Sequence, residues 1–123
     1  MKPRARQIHK GVERYKNKYR DSALSMYYGE TITLTGVFKA VNTVVRINYY
    51  GKSVLFKGVM LGNQRIDHMW IHFQNIVNPE ILVQDKRYAI TGHVINYFQN
   101  RKNKTIREKY TLENVRLERI SDL

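Results

Sequence analysis

The sequence contains no cysteine and few acidic residues, and both shortages narrow what the chain can do. Without cysteine there are no disulfides, thiol nucleophiles or cysteine-based zinc sites, which suits a cytoplasmic protein. No run of ~18 apolar residues is present, so we expect no membrane-spanning helix. No P-loop, nucleophile elbow or local carboxylate cluster is visible. We therefore expect a protein that is not an enzyme and that carries no cofactor and no metal.

The charge balance is the first positive signal. The 123 residues include 22 Lys and Arg against 10 Asp and Glu, for a net charge of +12. Such a chain attracts polyanions, of which nucleic acid is the commonest; an anionic membrane or an acidic protein comes second, and solubility alone is the plainer explanation. The chain also holds nine Tyr, four Phe and one Trp. Cations interleaved with aromatic rings favour single-stranded nucleic acid, because rings stack on bases while cations meet phosphates.

Half of the net charge lies at the N-terminus. Residues 1–21 contain eight Lys and Arg against two acids, and Ile8, Val12, Tyr15 and Tyr19 recur there at helical spacing. The pattern predicts a basic amphipathic helix within an N-terminal arm of residues 1–28. Two roles stay open for this helix: it packs on the body of the protein, or its cations contact phosphates.

From residue 29 to residue 123, apolar residues recur at every second position instead of at helical spacing. Segments such as "ETITLTGVFKAV" alternate β-branched and polar residues, which is typical of strands. The pattern predicts five strands, with "YYGKS" as a turn and a longer connection over residues 75–86. Gly36, Gly58 and Gly92 fall inside predicted strands, where glycine commonly marks a bulge or a sharp bend. A small sheet bent in this way can curl into a barrel.

The strand pattern resembles that of the OB-fold, a five-stranded Greek-key barrel. The resemblance rests on the long first strand with Gly36, the connection 75–86, and the segment "DKRYAITGHVINYF…KYTLENVRLERI". It covers residues 30–120 and extends to small basic OB-type proteins carried by phages, plasmids and other mobile elements. It implies a mainly β, OB-like barrel preceded by the basic helix. It also implies a binding face on strands two and three, flanked by the loops after strands one and four.

The stretch "RIDHMWIHFQN" (residues 65–75) holds the only tryptophan between two histidines. On a strand, Met69, Ile71 and Phe73 would share the core face, and His68, Trp70 and His72 the other. Histidines four residues apart on a strand lie about 13 Å from each other, too far to share one zinc ion. An outward Trp70 would be a stacking platform for a base. The alternatives are that the N-terminal helix covers Trp70 and that the histidines are ordinary surface groups.

Further candidate contacts lie on the strands and at their ends, and "NYFQNRKNKTIREK" reads either as a binding loop or as a solvated hairpin tip. We expect the partner to be single-stranded DNA, or alternatively RNA, during replication or transfer of a mobile element. A polymerase or helicase of that element is a second expected partner. The alternative function is an accessory or inhibitor factor that binds such an enzyme without touching nucleic acid. The candidate nucleic-acid-binding residues are Arg46, Tyr49, Tyr50, Lys52, Lys57, Arg65, His68, Trp70, His72, Tyr97, Arg101, Lys102, Lys104 and Arg107.

Overall fold

The protein is mainly β, as the sequence predicts. The computed structural model describes residues 23–46, 49–100 and 106–121, and side chains in these ranges other than 44–46, 49–50, 99–100 and 106–107. The described residues form five strands: β1 (Thr31–Arg46), β2 (Tyr49–Leu61), β3 (Gln64–His72), β4 (Arg87–Asn100) and β5 (Ile106–Arg119). Two short 3₁₀ helices, Phe73–Asn75 and Pro79–Ile81, occupy the connection between β3 and β4. Within the described ranges no helix has the length and apolar character needed to cross a membrane.

All five strands form one antiparallel sheet in the order β3-β2-β1-β4-β5. β1 is the centre of this sheet because it is long enough to pair on both sides. Its N-terminal part, Thr31–Val37, pairs with β4, and the part from Thr35 to Arg46 pairs with β2, so the two ranges overlap by three residues. The strand therefore passes from one half of the sheet to the other, which places β3 at one edge and β5 at the opposite edge.

The three glycines that the sequence places inside strands mark irregularities in the sheet. Register shifts occur in β1 around Gly36, in β2 around Gly58 and in β4 around Gly92. A Cβ atom at Gly92 would lie 3.0 Å from both the Leu112 Cβ and a Val115 methyl group, so any larger residue would require β5 to shift by a few tenths of an ångström. The predicted bulges are confirmed, and they let the sheet bend over its own core.

The core is built from one face of every strand. Leu34, Phe56, Met69, Ile90 and Leu112 come from β1 to β5 in turn, and all five are buried. They belong to a single apolar cluster that also includes Ala23 and Leu24, which lie in the helical turn before β1. β2 and β3 therefore present the opposite face of the sheet to solvent.

The connection between β3 and β4 ties the two edges of the sheet to each other. Ile76 forms an isolated parallel bridge with Val115 of β5, and the Val77 N–H donates to the Val115 carbonyl at 2.7 Å. The Asn78 side chain donates to the carbonyl of Leu117 and accepts from its N–H, each at 2.9 Å. These bonds hold the connection against β5 and fix where β3 ends.

The structure corrects one sequence prediction and leaves two others untested. The predicted turn at "YYGKS" is wrong. These residues are paired with β1 as part of β2, and the chain reverses between Arg46 and Tyr49. Hydrogen-bonded ladders join the strands into one open sheet, so they do not show closure into a barrel. The predicted basic helix within residues 1–21 lies outside the described residues.

Candidate nucleic-acid interface

Side chains alternate along β3 as the sequence predicts. Met69 and Ile71 are each 1% exposed in the core, whereas Trp70 between them is 38% exposed. His68 and His72, two residues before and after Trp70, are partly exposed. Phe73 leaves the strand and begins the 3₁₀ helix, yet it still packs against the core cluster. The structure therefore brings the tryptophan and both histidines to the solvent face of β3.

Trp70 belongs to an apolar row that crosses three strands. It pairs with Leu55 of β2, and Leu55 pairs in turn with Ala40 of β1. Directly paired residues of antiparallel strands project to the same face, so the indole lies beside a partly exposed leucine and a small alanine. The indole is not fully covered, since Trp70 remains 38% exposed. We call this row, Ala40–Leu55–Trp70, the apolar row; it is a shallow strip with an exposed ring at the edge strand.

Polar and cationic side chains flank the apolar row on both sides. His72 pairs with the buried Ser53 on one side, and His68 pairs with the exposed Lys57 on the other. Arg65 follows further along β3 and has a side chain that is 63% exposed. Because strand residues advance about 3.3 Å each, the positions from Arg65 to His72 span roughly 23 Å. A polar and cationic border of that length suits an extended polyanion whose bases rest on the ring.

The acidic residue Asp67 lies within this border. It is not among the candidate binding residues that the sequence predicts. Its Oδ1 atom lies 3.6 Å from the Arg65 Nη2, and its Oδ2 atom lies 3.3 Å from the His68 Nδ1. The sequence "RIDH" already shows that Arg65, Asp67 and His68 are close to one another along the chain. What placed the carboxylate between the Arg65 guanidinium and the His68 imidazole is a bulge in β3, which strict alternation does not predict.

Lys52 and Phe73 lie on the face opposite Trp70. Ser53 pairs with His72 on the solvent face, so Lys52, one residue earlier in β2, projects to the other side. Its ammonium nitrogen is 5.5 Å from the centre of the Phe73 ring, close enough for a cation–π interaction of about 0.5–1 kcal/mol. The structure therefore does not bring Lys52 together with Lys57, although both lysines were candidates.

The hairpin of β4 and β5 exposes two further aromatic rings. Tyr97 is 38% exposed and pairs with Lys109; Phe98 is 60% exposed and pairs with Glu108. Asn96 donates a hydrogen bond of 3.1 Å to a carboxylate oxygen of Glu108. Adjacent strand residues face opposite ways, so the hairpin carries one exposed ring on each side. It is available as a secondary contact, separate from the apolar row.

The remaining candidates are placed by backbone alone or not described. Arg46 pairs with Tyr49, Tyr50 pairs with Val45, and Arg107 pairs with Gln99, but their side chains lie outside the description. The loop cations Arg101, Lys102 and Lys104 fall between the described ranges. Their roles stay predictions.

The described part of the chain contains no group of three or more His, Cys, Asp or Glu side chains that could hold a metal ion. In comparisons with known proteins, no family model, no curated protein and no solved structure matches the chain.

Proposed function

We propose that this chain binds single-stranded nucleic acid, with DNA as the preferred candidate over RNA. Bases stack on Trp70, and the surrounding cations neutralise the phosphates. The observation that carries the proposal is the position of Trp70: the only tryptophan is exposed on the open face of β3 while both of its neighbours are in the core. Contiguous apolar patches rimmed by polar residues commonly mark binding surfaces, and Trp70 forms such a patch with the paired Leu55 and Ala40.

The chemistry of the apolar row favours single strands over duplexes. In a duplex the faces of the bases are already stacked, so a flat ring gains nothing from them. In a single strand each base offers a π face, and one base–aromatic stack is worth about 1–3 kcal/mol. Lys57 and Arg65 lie on the same face as Trp70, within reach of the phosphates that accompany a stacked base. The net charge of +12 supplies the long-range attraction.

We further propose that the curled sheet is an OB-like barrel, left partly open. OB-folds are five-stranded, partly open Greek-key barrels that bind oligonucleotides on strands two and three and on the loops after strands one and four. Support comes from the core on one face of all five strands, the register shifts at Gly36, Gly58 and Gly92, and the Ile76–Val115 bridge that joins the connection after β3 to the edge strand β5. Trp70 then occupies the expected binding face. The sequence resemblance to small OB proteins extends the proposal to replication or transfer of a mobile element.

Fluorescence anisotropy with labelled oligo-dT over a series of salt concentrations tests this function. We expect binding whose logarithm falls steeply with log salt, with about −0.7 of slope for each phosphate contact. Lys57→Gln should weaken binding and make the slope shallower by roughly that amount. Lys52→Gln is the matched control, since it removes the same charge from the same strand on the opposite face.

Two outcomes would contradict the proposal. Equal effects of the two lysine substitutions would mean that the face carrying Trp70 is not the binding face. No binding of oligo-dT at high micromolar protein would favour the alternative function, an accessory or inhibitor factor that recognises a polymerase or helicase without nucleic acid.

A further inference from the structure

Asp67 departs from the surrounding strand in its backbone. Its φ angle is +88°, a region that non-glycine residues seldom adopt and that aspartate and asparagine tolerate best. It faces the register shift in β2, where Gly58 also has a positive φ of 59°. Ile66 and Met69 are both buried, so two residues rather than one lie between successive core positions. The bulge therefore turns Asp67 out beside His68, and bulges near functional sites commonly redirect a side chain in this way.

The carboxylate of Asp67 is held in place but still accessible. Its side chain is 45% exposed, with Arg65 beside one oxygen at 3.6 Å and His68 beside the other at 3.3 Å. Each carboxylate oxygen can accept two hydrogen bonds, so capacity remains on both atoms. Repulsion of phosphates by this charge works against the basic face around it. Residues with an unusual backbone conformation cluster at functional sites, where the surrounding structure holds them in place.

We infer that Asp67 reads the base next to the one stacked on Trp70 and selects guanine, an inference that rests on the proposed function. Asp67 lies three residues from Trp70, about 10 Å along the strand, so it faces a neighbouring nucleotide rather than the stacked one. Single-stranded bases are read through their Watson–Crick edges. On that edge guanine presents two adjacent donors, N1–H and the N2 amino group, which match the two oxygens of a carboxylate. Thymine presents one donor between two carbonyl oxygens, and these repel the carboxylate.

The test compares three oligonucleotides of about 12 nucleotides, within the site size of an OB-fold: oligo-dT, alternating dT–dG and alternating dT–deoxyinosine. Alternation avoids runs of guanine, and inosine lacks only the N2 amino group. Wild-type protein should bind the dT–dG strand about fivefold or more tightly than oligo-dT, as expected for a bidentate base contact. The inosine strand should lose most of that preference.

Asp67→Asn keeps a residue that tolerates positive φ but removes the acceptor pair. It should bring the dT–dG and oligo-dT affinities to within about twofold of each other, leaving oligo-dT binding unchanged or stronger. Asp67→Gly relaxes the backbone and should act alike, with folding checked by circular dichroism. Glu80→Gln is the control, because Glu80 is an exposed acid on the second 3₁₀ helix, outside β3.

The possible failures are separable. If oligo-dT binds tightly but wild-type protein shows no guanine preference, this inference is wrong and the proposed function stands. If Asp67→Asn strengthens binding of both strands equally and keeps the preference, Asp67 affects charge only, and the inference is again wrong. If wild-type protein binds none of the three strands, the proposed function itself fails.

Discussion

Replacing Met69 by alanine tests which face of β3 is the core. Met69 is 1% exposed and pairs with Phe56, which is fully buried. Removing a buried methionine side chain costs about 2–5 kcal/mol, because transfer free energy is lost and a cavity remains. For a domain of this size each kcal/mol lowers the melting temperature by several degrees. We therefore expect a decrease of roughly 10–20 °C.

The matched control is Lys57→Ala, on the exposed face of the adjacent strand. Surface substitutions of this kind usually change the free energy of unfolding by no more than about 0.5 kcal/mol. Thermal melts followed by circular dichroism and urea titrations should both rank Met69→Ala far below Lys57→Ala. The opposite ranking would shift the register of β3 by one residue, put Trp70 in the core and remove the basis for the stacking site.

Two further predictions concern charge outside the described residues. Deleting residues 1–21 should make the salt slope of oligo-dT binding shallower by about 0.7 per lost phosphate contact, and an unchanged slope in a folded protein would show that the arm only packs. Lys102→Ala combined with Lys104→Ala should flatten the slope by up to about 1.4 with little change in melting temperature. Unaltered affinity would make the loop a solvated hairpin tip.

Local patterns in the sequence predicted much of this fold. Alternation identified five strands because one face of each strand is buried and the other is not. It also assigned Met69 and Ile71 to the core and Trp70 to the opposite face, as the structure confirms, whereas coverage of Trp70 by the N-terminal helix stays a prediction. Gly36 and Gly92 were predictable as bend points because glycine inside a strand commonly marks one, and at both positions a Cβ atom would make a tight contact of 3.0–3.1 Å with a neighbouring strand.

What the sequence did not predict depends on pairing between distant residues. "YYGKS" contains glycine and polar residues and so resembles a turn, but β1 is long enough to pair with it as a strand. The Asn78 contacts with Leu117 join positions 39 residues apart, and no local pattern marks them. Asp67 shares the solvent face with His68 only because the bulge opposite Gly58 adds a residue. Lys52 and Lys57 lie five residues apart in β2, so alternation puts them on opposite faces, but the predicted turn at "YYGKS" kept Lys52 out of that strand.

The most direct measurement of the central claim is the fluorescence of Trp70 during titration with oligo-dT. Since it is the only tryptophan, any change in emission comes from this ring. We predict quenching on binding, and we predict that Trp70→Ala weakens binding by about 1–3 kcal/mol, while Trp70→Phe, which keeps a flat ring, retains most of the affinity. Unchanged emission at saturating oligo-dT, together with wild-type affinity of Trp70→Ala, would contradict a base-stacking site on β3.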